Sequence, residues 1–280
     1  MGTEQIREQI VGYWTKRAES YAVLNREELK KDRHREAWLS AMEPLFPSSL
    51  VTRRDPRSGG MPCDLRAHQR ASSPAEELRI LDIGTGPGFF AILLAQAGYR
   101  PDAADCTAQM LKEARSNAGE LADRIRFHQM NADHLDFEDG TFDVVVSRNL
   151  TWNLPDPCIC YTEWKRVLKP GGRAIIFDAN WYHYLYDEAA LAAYERDREN
   201  VARQAIQDFN IGENFDVMER IAKELPMSKK PRPAWDRERL LQLGYAEVDV
   251  CEDIWKDVWT EEEKVNYAAT PMFRIVATAP

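Results

Sequence analysis

The stretch ILDIGTGPGFF, residues 80–90, decides how this chain folds. It reads as an apolar strand, a glycine-rich turn and the apolar start of a helix. Glycines at such a turn let the backbone bend tightly and approach a ligand closely. Because the glycines follow the strand directly, the stretch predicts a ligand-binding turn at the carboxyl end of a sheet.

The glycine spacing and the preceding acid indicate which ligand suits the turn. A dinucleotide-binding turn has the pattern G-x-G-x-x-G, which seats a pyrophosphate on the helix N-terminus. Here the glycines are Gly84, Gly86 and Gly88, and Phe89 occupies the third glycine position of that pattern. Asp82 would repel a pyrophosphate but attract an ammonium group, directly or through water. The turn therefore favours an amino-acid-bearing nucleoside over a nicotinamide dinucleotide.

An alternation of strands and helices extends on both sides of the turn. The predicted strands are residues 79–84, 99–105, 126–130, 142–147, 173–178, 246–254 and 273–278. The predicted helices between them are residues 89–97, 108–118, 161–168 and 235–243. Such alternation specifies a largely parallel sheet with helices on both faces and right-handed crossovers. We expect a Rossmann-like, doubly wound α/β sheet of about seven strands, the last one antiparallel.

Three segments depart from this alternation. Residues 3–42 predict one or two helices, because Ile6, Ile10, Tyr13 and Trp14 recur at helical spacing. Residues 48–76 lack periodicity and predict a flexible loop. Residues 186–225 are highly charged and predict a helical insertion over the carboxyl edge of the sheet. The expected organisation is a helical lid (1–47), the loop (48–76) and a main domain (77–280) that contains the insertion.

The composition limits the classes of function. The chain has 280 residues and a formal net charge of -9, and nucleic-acid binding instead relies on basic residues that displace counterions. The N-terminus has no apolar signal segment, and no apolar run reaches the roughly 18 residues of a membrane span. The five cysteines are scattered, which fits a reducing cytoplasm: Cys63, Cys106, Cys158, Cys160 and Cys251. We expect a cytoplasmic protein, a monomer or homodimer, that binds neither nucleic acid nor membranes.

The motifs together resemble the class I methyltransferases that use S-adenosylmethionine (SAM). The D-x-G-x-G-x-G pattern after the first strand resembles their first motif, and the segment from Glu163 to Gly172 resembles their E-x-x-R-V-L-K-P-G-G motif. The resemblance covers residues 77–178 most clearly. It is closest to the methyltransferase type 11 group, which includes enzymes of ubiquinone and menaquinone biosynthesis. It implies SAM as the cofactor and S-adenosylhomocysteine (SAH) as its product.

The resemblance also assigns cofactor-binding residues. In this family, an acid after the second strand holds the ribose, an apolar residue flanks adenine, and the segment after the third strand reads the adenine edge. The family's W-x-x-R-A-x-x-Y segment places a tyrosine near the sulfonium. The candidate cofactor-binding residues are Tyr21, Asp82, Gly84, Gly86, Gly88, Asp105, Cys106, Met110, Asn131, Ala132 and Arg148. For Arg148 three alternatives stay open: contact with the cofactor carboxylate, contact with the substrate, or pairing with a nearby acid.

Two positions depart from the family pattern. Asn131 replaces the usual acid, and its side-chain carbonyl can still contact the adenine amino group. Pro101 lies inside the predicted second strand and cannot donate a hydrogen bond to a neighbouring strand. The start of that strand is therefore uncertain, whereas the role of Asp105 is not affected.

The methyl acceptor is expected beyond the carboxyl ends of strands four and five, under the N-terminal helix. The candidate substrate residues are Trp14, Asn149, Trp152, Asn153, Asn180 and Trp181. The tryptophans could form an aromatic box for a cation or simply pack in a lid. Tyr21, Asp178 and His183 are the candidate bases, needed only if the acceptor is protonated at working pH.

Several alternatives remain open at this stage. A regulatory protein that binds SAM without catalysis has the same motifs, and a nicotinamide-dependent oxidoreductase has a similar fold. Strand four is not followed by N-P-P-Y, which argues against amide or base nitrogens as acceptors. Cys158 and Cys160 suggest an arsenite site only weakly, because residues i and i+2 of a helix point apart. The five histidines have no metal-ligand spacing, so no metal is expected.

Overall fold

A computed structural model describes residues 2–47, 78–210 and 215–280. The strands are β1 (Ile80–Ile83), β2 (Asp102–Asp105), β3 (Arg126–Gln129), β4 (Phe142–Arg148), β5 (Leu168–Asp178), β6 (Glu247–Cys251) and β7 (Phe273–Thr278). The longer helices are α1 (Thr3–Lys30), α2 (Asp32–Met42), α3 (Phe89–Gln96), α4 (Ala108–Ala118), α5 (Pro157–Val167), α6 (Glu188–Gln204), α7 (Phe215–Glu224) and α8 (Ala234–Gln242). Two short helices are α9 (Trp255–Val258) and α10 (Glu261–Asn266).

The seven strands form one sheet in the order β3-β2-β1-β4-β5-β7-β6. Strands β1 to β5 are parallel, and β7 runs antiparallel to both β5 and β6. The strand order reverses between β1 and β4. Ligands of doubly wound sheets bind at such a reversal, beyond the carboxyl ends of the strands. The predicted Rossmann-like fold with an antiparallel last strand is confirmed.

Local chemistry explains why three element boundaries differ from the prediction. Strand β2 begins at Asp102 because Pro101 has no N–H to give the ladder. Helix α5 begins at Pro157, four residues earlier than predicted, because the Asp156 carboxylate accepts hydrogen bonds from two backbone amides of its first turn. Strand β5 begins at Leu168, which pairs with Phe142 ahead of an irregularity in the ladder.

Apolar side chains cover both faces of the sheet. Trp38 of α2 packs with Phe90 of α3 and Phe177 of β5 on one face, and α5 and α8 bury Tyr161, Trp164 and Leu240 on the other. The N-terminal segment forms two helices, within the range predicted. The predicted insertion contains α6 and α7, with residues 211–214 outside the described part. The predicted loop, residues 48–76, also lies outside the described residues.

Helices α1 and α7 meet above the sheet. Ile6 and Ile10 of α1 pack with Met218 and Ile221 of α7, and Trp152 closes this apolar cluster from below. The insertion thus contacts the N-terminal helix through apolar side chains. Within the described part of the chain, no helix combines the length and apolar composition needed to cross a membrane.

Trp38 provides a test of how the N-terminal helices contribute to stability. Its side chain is completely buried, and its ring lies 5.3 Å from that of Phe90 and 5.2 Å from that of Phe177. We expect Trp38→Ala to lower the free energy of unfolding by about 3–5 kcal/mol, because it leaves a large cavity. Leu241→Ala, at a position that is 40% exposed, should change it by about 0.5 kcal/mol or less. Denaturant titration measures both, and equal effects would contradict this packing.

Candidate active site

A cavity lies at the carboxyl ends of the strands, between the glycine turn and helix α1. It is reached by side chains from α1, the turn after β1, the ends of β2 and β3, and the loop after β4. The predicted residues that line it are Trp14, Tyr21, Asp82, Gly84, Gly86, Asp105, Cys106, Met110, Asn131, Ala132, Arg148, Asn149 and Asn153. The predicted residues outside its lining are Gly88, Trp152, Asp178, Asn180, Trp181 and His183.

The glycine turn needs its glycines for two different reasons. Gly86 has a positive φ of 53°, and a Cβ there would point at the Tyr21 ring, 3.9 Å from Cε1. Gly86 therefore keeps the cavity wall open opposite α1. Gly88 has a φ of 95°, and a Cβ would come within 3.1 Å of Cβ of Ala114 on α4. Gly88 thus supports the turn through close packing rather than by facing the cavity.

Asp82 is a buried acid beside the turn. It is only 2% exposed, and its Oδ2 accepts hydrogen bonds from Oγ1 of Thr85 at 2.7 Å and from the Ala91 amide at 3.0 Å. Burial raises the pKa of Asp82 to about 7, although these two hydrogen bonds and the Arg148 charge act in the opposite direction. A nearby cation such as an ammonium group would stabilise the ionised carboxylate.

Asp105 joins the end of β2 to the glycine turn. Its carboxylate accepts hydrogen bonds from the Gly86 amide at 2.9 Å and from the Thr107 amide at 2.8 Å. Burial raises the pKa of Asp105, and the two amides lower it. A carboxylate has more acceptor positions than these two bonds use, so Asp105 can still accept hydrogen bonds from hydroxyl groups.

The far wall of the cavity combines Met110 of α4 with Asn131 and Ala132 after β3. Burial raises the pKa of the neighbouring Cys106 to about 11, which keeps its side chain a neutral thiol. The Ala132 carbonyl accepts a hydrogen bond from Nε1 of Trp164 at 2.9 Å. The Leu135 amide donates to Glu163, which also pairs with Arg166. The E-x-x-R segment therefore fixes the loop after β3 from outside the cavity.

Helix α1 forms the roof. Arg7, Ile10, Trp14, Tyr21 and Asn25 all line the cavity from one side of this helix. The ring of Trp14 lies 5.5 Å from that of Tyr21. Burial raises the pKa of Tyr21, so its hydroxyl stays protonated. Aromatic and polar groups of the roof thus face the glycine turn.

Two ion pairs attach the roof to the sheet. Arg7, near the start of α1, pairs with Asp133 in the loop after β3. Glu28, near its end, accepts hydrogen bonds from both terminal nitrogens of Arg148 at 2.9 and 3.2 Å. The Arg148 guanidinium also lies over the rings of Phe89 and Trp38, at 4.2 and 4.8 Å. Arg148 lines the cavity, but its charge is already shared with Glu28.

The loop after β4 contributes Asn149 and Asn153 to the cavity, whereas Trp152 points away from it. Asn149 has a positive φ of 55°, a conformation that asparagine tolerates better than most residues. The indole of Trp152 donates to the Asn149 carbonyl at 2.9 Å and packs in the apolar cluster with α1 and α7. Trp152 therefore supports the loop from behind.

The segment after β5 lies behind the cavity wall. Asp178 is completely buried and is ion-paired with Arg232. The Trp181 indole donates to Asp178, and the Asn180 side chain donates to the Arg232 carbonyl. Nδ1 of His183 lies 3.1 Å from the Ser228 carbonyl oxygen. This geometry does not support the predicted roles of Asp178 and His183 as bases, because neither faces the cavity.

Sequence reasoning missed two groups of residues. Arg7 and Asn25 lie seven residues before Trp14 and four after Tyr21, so helical spacing through these aromatic residues could have found them. Arg232 lies 54 residues from Asp178 in the sequence, and no motif connects the two. Only the packing of the segment before α8 against the end of β5 brings them together.

Comparison with known proteins shows that part of the chain is similar to methyltransferases. Residues 81–176 match a family model described as a methyltransferase domain. Demethylmenaquinone methyltransferase from Lactiplantibacillus plantarum is 37% identical over 111 residues, which cover 38% of this chain and 47% of that protein. Ubiquinone biosynthesis O-methyltransferase from Parvibaculum lavamentivorans is 32% identical over 111 residues, which cover 40% of this chain and 44% of that protein. The match thus spans about half the length of these curated relatives.

A solved structure shares the fold over a larger part of the chain. Phosphoethanolamine N-methyltransferase 2 from Haemonchus contortus, solved in complex with SAM, is 19% identical, with a TM-score of 0.51. The match covers 72% of this chain and 49% of that one. The family match, residues 81–176, includes the glycine turn, Asp82 and Asp105. Residues 81–176 therefore match a methyltransferase domain family, and the seven-stranded sheet that contains them has the fold of that solved methyltransferase.

Proposed function

We propose that this protein binds SAM in the cavity and transfers its methyl group to a small molecule. The observation that carries the proposal is that Asp82, the glycine turn and Asp105 line the same wall of the cavity. A buried acid whose hydrogen-bond donors are all neutral suits the methionine ammonium, and an acid held by backbone amides suits ribose hydroxyls. Calorimetric titration with SAM and SAH tests the proposal, and absence of binding by either would refute it.

The residues of the cavity fit this cofactor. Met110, Asn131 and Ala132 would hold adenine, Asp105 the ribose, and Gly84, Gly86 and Asp82 the methionine part. Two buried oxygens support the fit, because Oδ1 of Asn149 and Oδ1 of Asn153 have no hydrogen-bond partner among the described residues. SAM carries several N–H and O–H donors for such oxygens.

The chemistry asks little of the protein beyond orientation. SAM supplies a methyl group that is already activated by its sulfonium, so transfer is an in-line displacement. Holding donor and acceptor in line can lower the barrier by about 7–11 kcal/mol. The α1 roof covers the cavity from above, and Tyr21 faces the glycine turn. We assign Tyr21 a positioning role, because a protonated phenol donates a hydrogen bond rather than accepting a proton.

The acceptor is proposed to be a small molecule. The two curated relatives are named for a menaquinone precursor and for ubiquinone biosynthesis, and the structural neighbour for phosphoethanolamine. These names include both ring-bearing and amine acceptors, so the acceptor atom is left open among N, O, S and C. Free thiols at Cys106, Cys158, Cys160 and Cys251 support a cytoplasmic location.

Asp105→Asn tests the proposed ribose contact. The substitution keeps the size of the side chain but weakens hydrogen bonds to hydroxyls and to the Gly86 and Thr107 amides. Hydrogen bonds to a charged group contribute about 1.5–3 kcal/mol, so SAH affinity should fall by about one to two orders of magnitude. Asp123→Asn, at an exposed position outside the cavity, is the matched control. Equal SAH affinities of both variants in calorimetry would contradict the contact.

Asp82→Asn tests whether burial raises the pKa of Asp82. The pKa of Asp82 is about 7 in the folded protein and 3.8 as a free side chain. The folded state therefore binds more protons between these values, and this contribution to stability is lost as pH rises from about 4 to 7. The loss relative to Asp82→Asn is at most about 4 kcal/mol. SAH should reduce it, because its ammonium stabilises the ionised form.

The measurement for Asp82 is denaturant unfolding of both proteins at several pH values, with and without SAH. The difference in unfolding free energy between wild type and Asp82→Asn isolates this one carboxyl from the other titrating groups. A difference that stays constant from pH 4 to pH 7 would show that Asp82 is not a perturbed acid.

Arg7→Met tests the roof as a lid that opens for SAM. Loss of the Arg7–Asp133 ion pair should speed chymotrypsin cleavage at Tyr13, Trp14 and Tyr21 several-fold, because the start of α1 separates from the sheet more often. SAH should slow cleavage of the wild type by holding α1 closed. Lys16→Met, an exposed change on the same helix, is the control. A cleavage rate that changes neither with SAH nor with Arg7→Met would argue against a lid.

A further inference from the structure

The loop after β4 presents two hydrogen-bond acceptors to the cavity. Asn149 and Asn153 both line it, and the Oδ1 atom of each is buried without a partner among the described residues. Asn153 is only 6% exposed. A buried acceptor without a donor costs free energy, and that cost disappears when a ligand supplies the donor. The two oxygens therefore suit amino or hydroxyl groups of a bound molecule.

The middle of this loop is tied to the end of β5. Thr151 is completely buried, and its Oγ1 donates a hydrogen bond to Asp178. The same carboxylate accepts a hydrogen bond from the Trp152 amide at 2.8 Å. Asp178 thus holds two consecutive residues between Asn149 and Asn153. Neither Thr151 nor Asp178 lines the cavity.

Arg232 completes this arrangement from a distant part of the chain. Its side chain is completely buried, and its Nη2 donates to Oγ1 of Thr151 at 2.5 Å. Its Nη1 lies 3.2 Å from Oδ2 of Asp178, and its Nε donates to Oδ2 of Asp236 at 2.9 Å. The guanidinium also lies 5.0 Å from the centroid of the Phe273 ring. One cation therefore links the loop, the end of β5 and helix α8.

The side chains of the network must keep fixed positions, because all of them are buried. Asp236 also accepts a hydrogen bond from the Tyr161 hydroxyl at 2.6 Å, which extends the network to α5. Buried charges need several partners in fixed positions, and loss of one partner leaves the others uncompensated. Fully satisfied networks of this kind rigidify their surroundings. The network thus anchors the middle of the loop after β4.

We propose that Thr151, Asp178, Arg232 and Asp236 form a positioning network that aims Asn149 and Asn153 at the bound cofactor. The residues of the network do not touch the ligand. They fix the loop so that both Oδ1 atoms meet the amino and hydroxyl groups of the methionine-bearing nucleoside. The inference rests on the proposed function. It gives Asp178 a task in positioning rather than in proton transfer.

Thr151→Val tests the network with little change in volume. The valine removes the hydroxyl that donates to Asp178 and accepts from Arg232, so the loop loses its central attachment. We expect the affinity for SAH, measured by calorimetry, to fall about tenfold. Thr151→Ser keeps the hydroxyl and should stay within about twofold of the wild type. Ile125→Val, a buried change outside the cavity and the network, controls for a general loss of stability.

A melting temperature for each variant separates positioning from stability. A merely structural network would lower the melting temperature of Thr151→Val without changing SAH affinity below the melting range, as in Ile125→Val. That result overturns the inference and leaves the proposed function intact. Weak binding by Thr151→Val with rescue by Thr151→Ser supports it. If the wild type binds neither SAH nor SAM, the proposed function fails, and this inference fails with it.

Discussion

The Asp105 carboxylate holds the candidate site together. It accepts hydrogen bonds from the amides of Gly86 and Thr107, so the end of β2 fixes the glycine turn after β1. Adjacent parallel strands bring their carboxyl ends together, which makes this bridge available only in a sheet with this strand order. Together with backbone hydrogen bonds from Gly84 and Thr85 to the Ala104 carbonyl, it fixes the distance between the turn that faces α1 and the wall that carries Met110. The proposed nucleoside site depends on that distance.

Buried acids at the ends of two strands have different surroundings. Asp82 follows the middle of β1 and has only neutral hydrogen-bond donors, so burial raises its pKa to about 7. Asp178 ends β5 and pairs with the buried guanidinium of Arg232. The first acid gains when a cationic ligand arrives, whereas the second already has its cation. Position at the carboxyl edge of the sheet therefore does not by itself make an acid part of the ligand site.

Helix α1 connects the cavity to the rest of the molecule. It is attached near both ends by ion pairs to the sheet domain, through Arg7 and Glu28, and over its first half by apolar contacts with α7. Ion pairs at part-exposed positions contribute little stability, while apolar contacts contribute more. The roof over the cavity is therefore held chiefly by apolar packing.

The sequence by itself determined the fold and most of the residues that line the cavity beside the glycine turn. Local patterns carry that information, because a strand, its glycine turn and the acids at strand ends lie within short stretches such as residues 80–90. Helical spacing also indicated a roof that carries Trp14 and Tyr21. The tertiary structure decided which residues at the ends of β4 and β5 line the cavity. Asp178 ends β5, and Trp181 and His183 follow it as Asn149 follows β4, yet of these four residues only Asn149 lines the cavity. The reason is Arg232, whose guanidinium binds Asp178 from a segment 54 residues away in the sequence, a contact that no local pattern encodes.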